Sequence, residues 1–256
     1  MDFTFGIITS GGSDSFIERI IKTIKSQNIP NYEIIIVGQT LLTGDNVRVI
    51  EFDETIKPKW ITRKKNLICQ NAIYENIVLL HDYIELEDGW YSGFLKYGNN
   101  FDICNTRIVN NDGTRFRDFV LFNNGLIREL NNILGNRTYL PYDTPINKIN
   151  KIMYISGSYY IVKRSIALKF PLNEELCWNQ GEDVVFSHTL RSNNILLKCN
   201  THSSVKLLKQ KEKTDREELI NPKDLQILNS MSLDTLSNAQ YNHQQIWTLE
   251  QFKIRI

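Results

Sequence analysis

The amino-acid sequence predicts an α/β domain built on a mainly parallel central sheet flanked by helices. Three observations predict it. Apolar, β-branched runs recur at Phe3–Thr9, Tyr32–Val37 and Ile77–Leu80, amphipathic helical stretches lie between them, and each run ends in a polar or glycine-bearing break. Strands alternating with helices of this length need crossover connections. A parallel sheet covered on both faces shows near-continuous apolar strands rather than alternation.

Phe3–Thr9 is the first strand and stops at the turn signal Ser10-Gly11-Gly12. Phe16, Ile17, Ile20, Ile21 and Ile24 then recur at helical spacing, and Pro30-Asn31 breaks that helix before the strand Tyr32–Val37. Val47–Phe52 reads as a shorter strand. A second helix is expected over roughly Arg63–Tyr74, with Leu67, Ile68, Ala72 and Ile73 facing inward. Ile77–Leu80 is a buried strand closed by His81-Asp82-Tyr83. Asp102–Val109 and Phe119–Phe122 read as strands, followed up to Ile149 by an Asn-rich loop with Pro141 and Pro145, a length typical of lids and binding loops. Ile152–Val162 is strand-like around Ser156-Gly157-Ser158, Glu182–Arg191 is a helix, and Ile195–Cys199 is a strand. A polar turn, Asn200–Ser204, follows. Beyond Val205 the chain turns charged, with Lys206, Lys209, Lys211 and Lys213 close together, so residues 1–205 are expected to form the main domain and 206–256 a short helical C-terminal appendage.

Composition narrows the classes. Thirty basic against 29 acidic residues leave a net charge of +1, which argues against nucleic acid as a partner. With 41% hydrophobic residues in 256, the chain can bury an extensive core. Cys69, Cys104, Cys177 and Cys199 are scattered without a CxxC pair and read as reduced thiols of a cytoplasmic protein. No apolar run approaches the roughly 20 residues of a membrane span, and the N-terminus lacks a basic leader. The sequon Asn136-Arg137-Thr138 therefore reads as incidental. The Lys206–Lys213 cluster is expected to be a solvated face, with peripheral contact to an anionic membrane surface as the other reading.

In a parallel α/β sheet, ligands bind beyond the carboxyl ends of the strands. That rule selects Thr9-Ser10-Gly11-Gly12, Gly38-Gln39-Thr40 and His81-Asp82-Tyr83. Neither GxGxxG nor GxxxxGK[ST] is present, which removes the main signals of a dinucleotide or P-loop site. His81 and Asp82 offer one nitrogen and one oxygen to a Mn2+ or Mg2+ that bridges phosphates. The same residues also fit a helix cap and a packed polar side chain. Glu182 and Asp183 follow Trp178-Asn179-Gln180-Gly181 at a helix start. There two carboxylates gain about 0.3–1 kcal/mol each from the helix dipole, or one of them serves as a general base. Gly157 suits a strand bulge or a ligand lying against bare backbone. His202 lies in a polar turn, where a histidine is ordinarily just solvated.

Taken in order, Phe5-Gly6-Ile7-Ile8-Thr9, Tyr32–Gly38, Arg63-Lys64-Lys65-Asn66, Leu79–Tyr83, Ile155–Ser158, Gly181-Glu182-Asp183 and His202 form a series over about residues 3 to 205. This series resembles the GT-A glycosyltransferases, especially inverting enzymes similar to family 2. His81-Asp82-Tyr83 stands at the DxD position with histidine and tyrosine in place of the outer acids, and Gly38-Gln39 replaces the usual acid after the second strand. The resemblance implies a nucleotide-sugar donor carrying UDP, GDP or dTDP, and an acceptor hydroxyl on a glycan, lipid-linked or protein substrate. Thr9 and Ser10 would lie against the base or ribose, with Gly38, Arg63, Asn66, His81, Asp82 and Gly157 also lining the donor. It implies a divalent metal, Mn2+ or Mg2+, on Asp82 with His81 or His202. The alternative is a diphosphate held by Arg63, Lys64 or Lys65. Asp183 would be the base of an inverting transfer, and Glu182 would contact the acceptor or orient the base.

Two other classes compete. A sugar-phosphate nucleotidyltransferase shares the nucleotide-binding half but normally carries a basic glycine-rich first loop, whereas no cation precedes Arg19 here. A catalytically degenerate GT-A-like binding domain fits the altered DxD and conflicts with the intact Glu182-Asp183.

Overall fold

The computed structural model describes residues 1–122, 137–144, 153–211 and 218–231. An eight-stranded sheet runs in the order β3(Val47–Ile50), β2(Tyr32–Val37), β1(Phe3–Ile8), β4(Asn76–His81), β10(Tyr159–Lys163), β6(Ile103–Val109), β11(Leu197–Leu207) and β5(Ile84–Leu86). All but β10 and β5 point the same way, so the sheet is mixed and mostly parallel. Helices cover both faces, as the apolar runs require. Along β4, Ile77 and Leu79 enter one core while Val78 and Leu80 enter the other. The amphipathic stripe of α1(Asp14–Ser26) buries Ile17, Ile20 and Ile24. At about 1.5–3 kcal/mol for each large apolar side chain removed from water, that stripe is ample reason for the helix to dock.

α2(Ile61–Asn71) crosses the opposite face at close quarters. A Cβ on Gly6 would stand 2.3 Å from Ile68, so the helix lies directly on β1 because residue 6 has no side chain. The expected helix was placed two residues too late and too long at its end. Its inner stripe is Ile61, Lys64, Lys65 and Ile68, and Ile73 is exposed beyond the helix. On the same side lie α4(Arg164–Lys169) and α5(Glu182–Ser192), which contributes Phe186 and Leu190 to the core. α3(Trp90–Tyr97), not anticipated from the sequence, packs Trp90 and Phe94 on the α1 side.

A second sheet, in the order β12(Glu218–Leu219), β8(Arg137–Tyr139), β7(Val120–Phe122) and β9(Met153–Tyr154), sits beside the first turn of α5. β8 falls in the stretch expected to be loop, and the rest of that stretch lies largely outside the described residues. The polar segment Asn200–Ser204 is a bulge inside β11 rather than a turn after it. Within it Asn200 donates to Ser203 and Ser203 to the Trp90 carbonyl, while His202 is exposed. Lys206 is therefore strand, not helix, and a boundary after residue 205 falls within β11. Further on, α6(Pro222–Ser230) is helical, and Ile220 and Leu228 belong to the main core. Among the described residues no helix is long and apolar enough to cross a membrane. The four cysteines are free thiols.

Candidate active site

The carboxyl ends of β1, β2 and β4 meet as the parallel sheet demands. Thr9 closes β1: its amide donates to Val37, and the Asp82 amide donates to Ile8 at 3.2 Å. The Thr9 hydroxyl donates to Asp82 Oδ2 at 2.7 Å and accepts from the Gly11 amide at 3.1 Å. Gly38 lies against this corner with φ +137, and a Cβ there would stand 2.1 Å from the Thr9 carbonyl oxygen. Only glycine fits that position, which explains why no acid stands there.

The second half of the site is the turn between β9 and β10 together with the first turn of α5. Asp183 Oδ2 accepts from the Tyr154 hydroxyl at 2.6 Å and from the Gly157 amide at 3.1 Å, while Oδ1 accepts from the Val184 amide at 2.9 Å. Gly157 is also closely enclosed, though less than Gly38: a Cβ on it would lie 3.0 Å from both Asp183 Cβ and Glu182 Oε1. Glu182 is buried. Burial, followed by the neighbouring Asp183, pushes its carboxyl up to about 8, with Lys65 opposing.

Two consecutive lysines of α2 join these halves. Lys64 and Lys65 are each 1% exposed, because both stand on the core-facing stripe of the helix. Lys64 Nζ donates to the Thr9 carbonyl at 2.7 Å, to Ser10 Oγ at 3.3 Å and to the Glu54 carboxylate. Lys65 Nζ donates to the Gly157 carbonyl. Burial lowers its proton affinity, and the charges of Glu182 and Asp183 act against that. A further link is the His81 amide, which donates to Ser158 at 3.1 Å.

Other expected site residues are placed elsewhere. Asn66 is buried and spends its amide on residues 172–174, donating to the Leu172 carbonyl and to Glu174 and accepting from the Leu172 amide. Arg63 pairs with Glu174 at 3.1 Å. Both brace that segment, while Lys64 and Lys65 face the corner. His202 is exposed in the β11 bulge, its backbone packed on Gly93 of α3, and β10 and β6 separate its strand from β4. The structure does not bring it to Asp82.

The metal implied by the resemblance can be tested on these donors. Among the described residues no three His, Cys, Asp or Glu side chains come together as a metal-binding group. Asp82 already accepts from Thr9. The His81 ring is buried, its Nε2 lacks a hydrogen-bond partner, and burial holds it neutral with Lys65, Lys211, Lys209 and Lys64 adding to the effect. A hard dication takes about six oxygen ligands and prefers anionic ones. One carboxylate among lysines does not fit it.

Sequence reasoning missed the contacts of Glu54 with Lys64 and of Tyr154 with Asp183, and the inner placement of Lys64 and Lys65. The lysines had a readable signal: positions 61, 64, 65 and 68 form the helical stripe, and lysine on a core stripe is an anomaly. Tyr154 had none, because its role depends on β9 reaching α5.

No protein-family profile matches this chain, and no curated protein matches it in sequence. Solved structures do match. A crystal structure of GalNAc-T7 with UDP, GalNAc and Mn2+ superposes with a TM-score of 0.60 at 13% identity, covering 98% of this chain and 49% of that one. This chain thus spans about half the length of GalNAc-T7. Residues 1–349 of S. aureus TarS align at 12% identity and a TM-score of 0.48, over 98% of this chain and 77% of that one. The fold, an α/β structure with a mixed, mostly parallel sheet flanked by helices, is that of the GT-A glycosyltransferases.

Proposed function

We propose that this chain is a glycosyltransferase that moves a sugar from a nucleoside-diphosphate sugar to an acceptor hydroxyl with inversion. One observation carries the reading: Lys64 and Lys65 clamp the strand-end corner of Thr9 and Asp82 to the turn that holds Asp183. A nucleotide site and a fixed carboxylate are thereby held on one rigid frame. Thr9, Ser10, Gly38 and Asp82 line the nucleotide, and Gly157, lacking a Cβ, lets Glu182 and Asp183 close against its backbone beside the donor sugar. Asp183 takes the proton of the acceptor hydroxyl as that oxygen bonds to the anomeric carbon. The bond from that carbon to the diphosphate oxygen breaks on the opposite side, and its electron pair leaves with the nucleoside diphosphate. Tyr154 and the Gly157 amide hold the carboxylate in one orientation, which matters because a base acts only within hydrogen-bond reach of its proton. Glu182, protonated at neutral pH, adds no second charge beside it and faces the acceptor.

UDP is the first nucleotide to test, because the crystal structure of GalNAc-T7 holds it. Calorimetric titration with UDP, GDP and dTDP, then donor turnover over a panel of their sugars, should reveal binding and consumption of at least one. Silence from all three nucleotides would remove the glycosyltransferase reading.

A further inference from the structure

The segment after β11 returns over the site. Leu208 donates its amide to the Tyr83 carbonyl at 2.8 Å, Gln210 donates to Asp112 at 3.1 Å, and the Lys211 amide donates to Asn110 Oδ1 at 3.1 Å. These bonds hold Lys209 and Lys211 with their ammonium groups 4.1 and 4.5 Å from the centroid of the Tyr83 ring. Tyr83 directly follows Asp82, and its ring packs on that of His81 at 5.4 Å. Two ammonium groups on one ring repel each other, and each cation–π contact contributes only about 0.5–2 kcal/mol. Lys211 registers the crowding: burial lowers its proton affinity first, then Lys209 and Arg117, with Asp82 alone opposing. The place is short of negative charge, at the point where the fold's strand-end rule puts a ligand. His81 adds a buried ring nitrogen with no protein partner.

We infer that Lys209 and Lys211, fixed over Tyr83 beside Asp82, bind the diphosphate of the donor and make divalent metal unnecessary there. This rests on the nucleotide-sugar reading above and departs from it only in what neutralises the leaving group. Ammonium groups are hard, multiply donating cations suited to phosphate oxygens. They supply the charge stabilisation that a diphosphate needs as its bond to the sugar breaks.

The test is calorimetric binding of UDP, GDP and dTDP to the full chain, first in excess EDTA and then with Mn2+ or Mg2+. The expected result is binding in EDTA that added metal does not strengthen. Lys209→Ala/Lys211→Ala should weaken it roughly 10- to 100-fold, the range for losing charge-assisted hydrogen bonds. Uridine, which has no phosphate, should show no such difference between the two proteins. Thermal midpoints of both proteins check the fold, and Lys209→Ala alone, at an exposed position, serves if the double variant does not fold. Binding that appears only with Mn2+ or Mg2+ overturns the inference and leaves the glycosyltransferase reading standing. So does UDP affinity in EDTA that the double variant keeps, including the case where the variant instead loses binding to anionic phosphatidylglycerol vesicles. Silence from every nucleotide under both conditions removes the function reading itself, and this inference with it.

Discussion

Glu182→Gln should remove part of the pH dependence of stability. In the folded chain the Glu182 carboxyl holds its proton up to about 8, whereas an ordinary glutamate releases it near 4.5. Between those two values the native state carries a proton that the unfolded chain has lost, so stability falls as pH rises through the window. The contribution is complete below 4.5 and gone above about 8. At roughly 1.4 kcal/mol for each pH unit of displacement, about 5 kcal/mol is the ceiling. Glutamine keeps the neutral shape and cannot ionise, so the variant lacks this slope. For a chain of this size each kcal/mol moves the thermal midpoint by about 2–4 °C. Melting both proteins from pH 5 to pH 8 subtracts the groups they share. The wild type should lose several degrees relative to the variant across that range, leaving the variant the more stable at the alkaline end. Midpoints that run parallel within about a degree would show that Glu182 is not held protonated, and with it the account of one shared charge on the acidic pair would fail.

Asp183→Asn keeps the acceptor oxygen for Tyr154 and Gly157, so the fold and nucleotide affinity should persist while turnover drops about 10²- to 10⁴-fold. Near-normal turnover in steady-state assays would show that the pair serves only the helix. Gly157→Ala places a methyl 3.0 to 3.1 Å from both acidic side chains, which must yield by a few tenths of an ångström. Its kcat should fall well before its thermal midpoint moves by more than a few degrees, and an unchanged kcat would mean that the carboxylate position is not critical.

The fold was legible where burial is two-sided and local. β1, β2 and β4 read correctly because strands covered on both faces are almost wholly apolar, and α1 because its isoleucines repeat at helical spacing. The helix opened by Gly181 was equally plain, and Gly181 indeed adopts φ +73 at its start. What escaped depends on distant partners. β8 and β12, three and two residues long, exist through pairing with each other and with β7. The bulge at Asn200–Ser204 looked like a solvent-facing turn because its hold on the fold is the bond from Ser203 to the Trp90 carbonyl of α3, which no local pattern reveals. The lysines after it looked like a solvated helical face because the bonds that fold them back onto Tyr83 come from residues about a hundred or more positions away. Among the residues proposed for the site, Asp82, Gly157 and Asp183 were singled out by strand ends and a helix start, and the structure bonds Asp82 to Thr9 and Asp183 to Gly157. The unrelated placements of Arg63, Asn66 and His202 follow from side-chain directions that spacing alone does not fix.

The two lysines on the inner stripe of α2 are the point where fold and proposed function conflict most openly. Nothing in the packing asks for them: the stripe is continued by Ile61 and Ile68, and apolar side chains at 64 and 65 would dock the helix without desolvating two ammonium groups. Replacing buried ions with well-packed apolar groups is often neutral or stabilising, so stability alone does not account for their presence. Each is instead bonded to a main-chain carbonyl at a strand end or turn, Thr9 for one and Gly157 for the other. Those carbonyls belong to the two segments that must keep a fixed separation if a donor on one is to meet a base on the other. Gly6 allows the helix close enough to β1 for both lysines to reach. A local rule broken beside a strand end, with the cost of burial offset by contacts to both segments, is what the proposed catalytic role would require.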